Sequence, residues 1–561
     1  MMIRRTLCSL ALGALCSTSL SATARAGETS AKALSDDVRV LASDPFEGRG
    51  PGTPGETKTI DWLVTQLKTI GLEPAGPDGA WTQAVPLVHT RLGAGTMQAA
   101  IKGRAMPLAQ GADIYVSTVR AADRIAIAKA PLVFVGYGVS APEQGWDDFK
   151  GQDLKGKVAV FLINDPDFEA AAGEPAAGKF GGKRMTYYGR WTYKFEEAAR
   201  RGAIGALIVH DTPGAGYGWS TVTASGGENY DVADAPYRLA LQGWLEGSVA
   251  TRLFGAAGLD LAKLRVAARR PDFRPVALPA TFSADLAASH EAVLSHNVLA
   301  RLNGKDRPDE VVMYGAHWDA YGQGKPDAQG RTIRPGANDD ALGVAGLLEI
   351  ARALKKGPAL SRSVLFGFWT AEERGLLGSE TYAQHPVVAP AKTVANITLD
   401  ILPTGGASRD VMLVGQGQNT LEDDLARAAA GQGRTVTPET LPERGLFYRA
   451  DHFPMARRGV PTLLFMAISG VPDLVDGGRK AGQEWLDGYM RCYHQTCDAW
   501  DSSWNFATAA ADVDLALTIG RDLANGTRWP QWRKGSEFRA VRVADGVPGG
   551  QEASASPSGK R

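Results

Sequence analysis

The feature that most limits the fold is a repeated order of short apolar runs and amphipathic stretches in the second half of the chain. Val311 to Tyr314 is followed by a stretch that puts Val344, Leu347, Leu348, Ala351 and Leu354 on one helical face, then by Val364 to Phe368, Ala395 to Leu399 and Thr462 to Phe465. Short runs of this kind that are apolar at every position are strands buried on both faces. Alternating with helices, they predict an α/β fold in which a mixed, mostly parallel sheet is sandwiched by helices. A chain of 561 residues exceeds one compact unit, so two or three domains are expected.

The first half has a different texture. Thr53-Pro54-Gly55-Glu56 offers a hydroxyl N-cap, Pro at the first helical position and Glu at the third, a capping box. Ile60, Leu63, Val64 and Leu67 follow at helical spacing, and Gly71 ends the helix. Between residues 86 and 280 the runs become short and β-rich, as in Leu132 to Val135 and Lys157 to Phe161, with a helical stretch near Phe195 to Arg200. This span is expected to be a separate inserted module, which leaves residues 27–85 to join residues 281–545 in one domain. Residues 546–561, rich in Ser, Gly, Lys and Pro from Gln551 to Arg561, are expected to be a disordered tail.

Residues 1–26 have the form of an export signal: Arg4-Arg5, an apolar run from Leu7 to Leu20, and Ala24-Arg25-Ala26 as the cleavage site. The run is too short to span a membrane, and the expected location is periplasmic or extracellular, by either the general or the twin-arginine route. Cleavage removes Cys8 and Cys16 and leaves Cys492 and Cys497. In an oxidising compartment two thiols so close in sequence point to a local disulfide, the other reading being two free buried thiols. The 61 basic and 61 acidic residues balance, and loss of three Arg with the leader takes the net charge to −3. Such a surface has no electrostatic footprint for nucleic acid or an anionic membrane.

The chemistry lies where polar residues follow the strands. His317 and Asp319 come after the run ending at Ala316, Glu372 and Glu373 after the run ending at Ala371, and Asp400 after Leu399, while Asp339 and Asp340 stand at the mouth of the amphipathic helix. Ligands of open α/β sheets bind at the carboxyl ends of the strands, so these groups converge on one crevice. Buried carboxylates that close to one another repel, and a divalent metal resolves the conflict. Imidazole and carboxylate without thiolate suit zinc or another first-row divalent ion. Asp319, two residues after His317, fits a carboxylate that orients the imidazole from behind.

Five segments carry a family resemblance: Gly315-Ala-His317-Trp-Asp319, Gly336-Ala-Asn-Asp339-Asp340-Ala341, Thr370-Ala-Glu372-Glu373-Arg-Gly375-Leu-Leu-Gly378-Ser379, Leu399-Asp400 and Tyr493-His494-Gln495. In this order they resemble the metal-site motifs of the M28 (aminopeptidase Y-like) zinc peptidases. Phe46 to Glu56 resembles that family's N-terminal segment, and the insert resembles a protease-associated domain. The resemblance implies the zinc-peptidase fold and two Zn2+ ions bridged by Asp339, one completed by His317 and Asp400, the other by Glu373 and His494. Glu372 is then the general base, Asp319 and Asp340 support the ligands, and the Asp339-Asp340 bond is cis. Two departures from the family pattern are Leu342, where the family usually has a Ser that is not a ligand, and Thr496-Cys497 after the last His in place of Pro-Ser or Pro-Ala, where the disulfide would stiffen the loop instead. Tyr448 has two readings, a group that polarises the substrate carbonyl or a packing residue at the rim. Met185 to Tyr193, aromatic and basic, is either core or one wall of the substrate cleft.

The function implied is a secreted dizinc aminopeptidase acting on peptides with a free N-terminus, whose amine the carboxylate cluster attracts. On the same fold a glutaminyl cyclase uses one zinc, whereas both ligand sets are present here. A carboxypeptidase needs a basic pocket for the substrate carboxylate, a matter the sequence leaves open. A catalytically silent receptor-like homologue loses ligands, and this chain retains them. Oligomeric state is not set by the sequence.

Overall fold

A computed structural model describes residues 28–224, 226–235, 238–544 and 546–547; the expected export signal at residues 1–26 and all but the first two residues of the expected tail at 546–561 lie outside the described residues. Thr462–Phe465, Thr393–Leu399, Arg307–His317 and Arg362–Trp369 lie side by side in that order. All are parallel, with Ile397 beside both Leu463 and Tyr314, and Tyr314 beside Phe366. Every residue of Arg362–Trp369 and of Thr393–Leu399 is buried, as a strand covered on both faces requires. Val276–Leu302 closes this half of the sheet antiparallel, pairing Ala300 with Phe366.

The helix Leu342–Lys356 supplies much of one covering layer, and Val344, Leu347, Leu348, Ala351 and Leu354 are all buried. Gly346 allows its close approach to the sheet and to the helix Ala507–Asn525, because a Cβ there would lie 2.7 Å from Leu399 and 3.0 Å from Val513. Ala31–Leu41 and Pro54–Ile70 join the same core through Leu34, Val38, Leu63 and Leu67.

Beyond Val276–Leu302 the sheet continues into a second unit with its own core. Its strands are Arg124–Phe134, Val158–Leu162, Gly205–Val209, Leu241–Leu245 and Ile114–Ser117, in that order. Leu132, Phe134, Val160, Leu207 and Phe254 pack on one face, while Val133, Phe161, Phe195 and Ile208 pack on the other. A ribbon of two long strands links the two cores: Thr82–Ile101 pairs with Val276–Leu302 from Thr82 opposite Val298 to Ile101 opposite Ala280. Met185 N donates to Pro442 O at 3.1 Å, Arg184 reaches Gln416 O at 2.7 Å, and Arg457 pairs with Glu196 at 3.0 Å, so the second unit also docks on the first.

The capping box expected at Thr53 does not form. The helix Pro54–Ile70 starts there and ends at Gly71 with φ 85°, but Thr53 Oγ1 turns back to Gly50 O. Glu56 Oε2 accepts from Gly52 N at 2.5 Å and Ser295 Oγ at 2.8 Å, and Oε1 lies 3.0 Å from His296 Nδ1. A buried carboxylate takes the fullest set of donors within reach, and tertiary partners outbid the local cap. Among the described residues no helix is long and apolar enough to cross a membrane.

Candidate metal centre

Three parallel neighbours deliver the site. The strand Arg307–His317 ends in His317, Arg362–Trp369 leads through Ala371 to Glu372 and Glu373, and Thr393–Leu399 leads directly to Asp400. Sharp turns aim them: Ala371 has φ 52°, Ile401 φ 54° and His494 φ 62°, conformations that non-glycine residues hold only under enforcement by their surroundings. Asp339 and Asp340 sit in the turn Ala337–Ala341 ahead of the helix, joined by a cis peptide bond.

These side chains meet at Asp339. Its Oδ1 lies 3.1 Å from His317 Nε2, and its Oδ2 lies 3.2 Å from His494 Nε2. Asp400 Oδ1 is 4.0 Å from His317 Nε2, and Glu373 Oε2 is 3.2 Å from His494 Nε2. The result is two donor groups, His317–Asp339–Asp400 and Asp339–Glu373–His494, each with its ligand atoms within 4.8 Å of one another. Glu372 belongs to neither and stands 3.9 Å from His317 Nε2. His317 Nε2 and Asp400 Oδ1 are buried with no hydrogen-bond partner among the described residues. Orphaned buried donors of imidazole and carboxylate type fit zinc or a similar divalent ion.

The charges agree. Burial pushes the Asp400 carboxyl up to about 8 and raises Glu372 and Glu373 well above the usual carboxylate range. Burial also opposes charge on Asp339, yet its contacts with both imidazoles hold it below that range. His317 is disfavoured as a cation by burial, but the surrounding carboxylates, Glu372 foremost, raise it well above the ordinary imidazole value. This cluster is short of positive charge.

A surrounding layer fixes the ligands. His317 Nδ1 is 3.1 Å from the backbone oxygen of Asp319 and 3.6 Å from its carboxylate, so the main chain rather than the carboxylate makes the nearer contact with the ring. Asp319 Oδ1 instead accepts from Glu372 N at 3.1 Å. Asp340 accepts from His317 N at 3.2 Å and from Gly343 N at 2.9 Å, tying the strand end to the helix start.

Arg49, fully buried, donates to the carbonyls of Leu41, Trp318, Pro335 and Gly336 at 2.5 to 3.0 Å, and burial lowers its pKa to about 10. It thereby clamps the loop before Asp339 to the residue after His317. Asp498 accepts from Asn338 N at 3.0 Å and Asp339 N at 3.1 Å. The disulfide between Cys492 and Cys497 closes the loop around His494, and Asp498, the next residue, ties that loop to the Asp339 turn.

Tyr448 does not join the cluster. Its hydroxyl donates to Glu537 Oε1 at 2.7 Å, and its ring packs against Tyr187, Phe447 and Phe453. The small cavity beside the donors is lined by Asp339, Glu372, Asp400, Ile401, Leu446, Arg449, Met466, Ile468 and Tyr493. In the sequence neither Tyr493, present only as the first residue of the Tyr493-His494-Gln495 motif, nor Arg449 carries a role of its own. Tyr493 could have been found from its place beside His494, where any turn that presents the imidazole also carries its neighbour to the site.

A family model described as Peptidase family M28 matches residues 297–518, the segment that holds every candidate ligand. That segment, less than half of the chain, is similar to peptidase family M28. Leupeptin-inactivating enzyme 1 of Streptomyces exfoliatus is 29% identical over 36% of this chain and 43% of its own length. A Mycobacterium tuberculosis protein named "Probable lipoprotein aminopeptidase LpqL" is 32% identical over 42% of this chain and 47% of its own length. The matches thus span less than half of either relative. A solved aminopeptidase from Aneurinibacillus sp. strain AM-1 aligns with 91% of this chain and 95% of its own at 20% identity and a TM-score of 0.48.

Proposed function

We propose that this chain is an exported, metal-dependent aminopeptidase of the M28 family that uses two divalent ions, zinc in the first instance. One observation carries the reading: the two oxygens of Asp339 face two separate imidazoles, each of which has a further carboxylate. A bridging carboxylate with one His and one acid on each side is the donor set of a dinuclear site. The printed name of the Mycobacterium tuberculosis relative, a probable lipoprotein aminopeptidase, favours action at the N-terminus. The leader read in residues 1–26 supports export.

Bound divalent ions would supply Lewis acidity toward the scissile carbonyl and acidify water at neutral pH. The chain's own groups do the rest. Glu372, outside both donor groups and raised by burial, takes the proton of the attacking water and returns it to the departing amine. Tyr493 lines the same cavity and donates its hydroxyl to the carbonyl oxygen as charge develops there. Ile401, Leu446, Met466 and Ile468 form an apolar wall for the adjoining side chain. The carboxylates of Glu372, Asp339 and Asp400 draw the free α-amine toward the same place.

The test compares a free peptide with its N-acetylated twin on zinc-loaded, chelated and reconstituted protein, with C-terminal release followed in the same samples. Cleavage of the free peptide alone, abolished by chelation and restored by zinc, is expected. Equal cleavage of both peptides, or release from the C-terminus, refutes the aminopeptidase reading.

A further inference from the structure

Most buried guanidiniums in this protein are heavily partnered. Arg49 has four carbonyls, Arg362 has Glu310 and three carbonyls, and Arg457 has Glu196 and Glu380. Two are exceptions: the half-buried Arg449, which lines the cleft, and the buried Arg190, which stands beside the loop that carries Arg449. Arg449 lines the cavity beside Glu372 and Tyr493, yet among the described residues no carboxylate comes within 4.0 Å of it. Arg190, from the second unit, is 7% exposed, and among the described residues it has no ion pair and its buried Nε has no hydrogen-bond partner.

The two belong to one site. Arg190 passes over the loop that carries Arg449, because a Cβ on Gly445 would lie 3.2 Å from Arg190 Cδ. Burial and then the like charge of Arg449 lower Arg190 to about 10, so both stay cationic at neutral pH. The Tyr217 hydroxyl, also from the second unit, feels both guanidiniums. Two neighbouring cations of like charge, one buried and one half-buried and neither with a carboxylate partner, are unfavourable unless an anion joins them. Planar guanidinium forks match a carboxylate with two parallel hydrogen bonds each.

We propose that Arg190 and Arg449 together bind a carboxylate of the peptide substrate at the mouth of the metal cleft. The carboxylate is either the C-terminus of a short peptide or an Asp or Glu side chain next to the scissile bond. The proposal rests on the peptidase reading above and adds a preference to it. It also gives the second unit a direct part in substrate choice, since half of the clamp comes from there.

The experiment uses the full zinc-loaded chain and four substrates: Leu-Gly, Leu-Gly-amide, Leu-Asp-amide and Leu-Asn-amide. In turnover, the acid member of one pair is expected to exceed its neutral partner in kcat/KM by about 10-fold or more, the scale of a charge-assisted clamp. A preference within the Gly pair assigns the C-terminus as the source, and one within the Asp/Asn pair assigns the side chain. Arg190→Gln and Arg449→Gln should each bring the ratio toward one, acting mainly through KM.

Calorimetric binding of the same pairs to Glu372→Gln reads the clamp without turnover. Acid-selective binding without hydrolysis by the parent would sink the peptidase reading and leave the clamp standing. Equal handling of acid and neutral partners in both assays would overturn the clamp. So would variants that slow all four substrates by one factor with the ratio unchanged.

Discussion

Replacement of Arg49 by Met tests how the metal centre is held, because the side chain touches no candidate ligand and yet organises two ligand loops. Its guanidinium makes four hydrogen bonds, at 2.5 Å to Pro335 O, 2.7 Å to Gly336 O, 2.7 Å to Trp318 O and 3.0 Å to Leu41 O. Met fills most of the same volume but donates nothing, so the four carbonyls lose their partner in a place without solvent. At about 1 kcal/mol net for each bond the loss is about 4 kcal/mol, and relief of the buried charge returns part of it, leaving about 3 kcal/mol. Pro335 and Gly336 precede Asp339, and Trp318 follows His317, so the loosened loops should also weaken metal binding. The assay is paired: urea unfolding of the apo protein gives the stability change, and zinc titration against a competing chelator gives the affinity. Loss of stability with unchanged zinc affinity would separate the clamp from the site. No loss of either, within about 1 kcal/mol, would refute the reasoning altogether.

Three further outcomes are expected. Glu372→Gln should keep both metals and lose about 10² to 10⁴ in turnover, whereas Glu373→Gln should lower metal content; the reverse pattern, read by metal analysis beside kinetics, would exchange their roles. Tyr493→Phe should lower kcat by about 10² with KM little changed, as for a lost oxyanion donor, while Tyr448→Phe should alter stability rather than kcat, as thermal melts beside initial rates will report. Asp498→Ala removes the acceptor of two backbone N–H groups at the Asp339 turn and should cost about 2 kcal/mol, with weaker zinc binding; unchanged denaturant midpoints and zinc titrations would count against the brace.

The sheet and the ligand loops were readable because their signals are local. Apolar runs such as Val364 to Phe368 ended in carboxylates, and the end of a buried parallel strand is where a polar group can still reach an opening. The lower legibility of Tyr493 over Tyr448 has an equally physical basis. Both are aromatic neighbours of basic residues, and only the packing of Phe447, Phe453 and Phe538 turns Tyr448 away toward Glu537. Asp498 and Arg49 act on backbone groups 159 and 287 positions away, a pairing that no periodicity encodes. Glu56 illustrates the same limit from the other side, since a correct local signature lost its carboxylate to Ser295 and His296.

The ribbon that joins the two cores also sets what evolution or an engineer can exchange. Ile101 and Ala280 face each other as hydrogen-bonded neighbours, so the chain leaves for the second unit and returns from it across the width of a single hairpin. Everything between them is, in topological terms, one oversized turn. A two-residue link could close the same ladder, and a foreign module with adjacent ends could be seated there, without any strand of the metal-bearing half having to change its register. The cleft would keep its catalytic floor and lose Arg190 and Tyr217, so the ribbon is the seam along which chemistry and substrate preference can be varied apart.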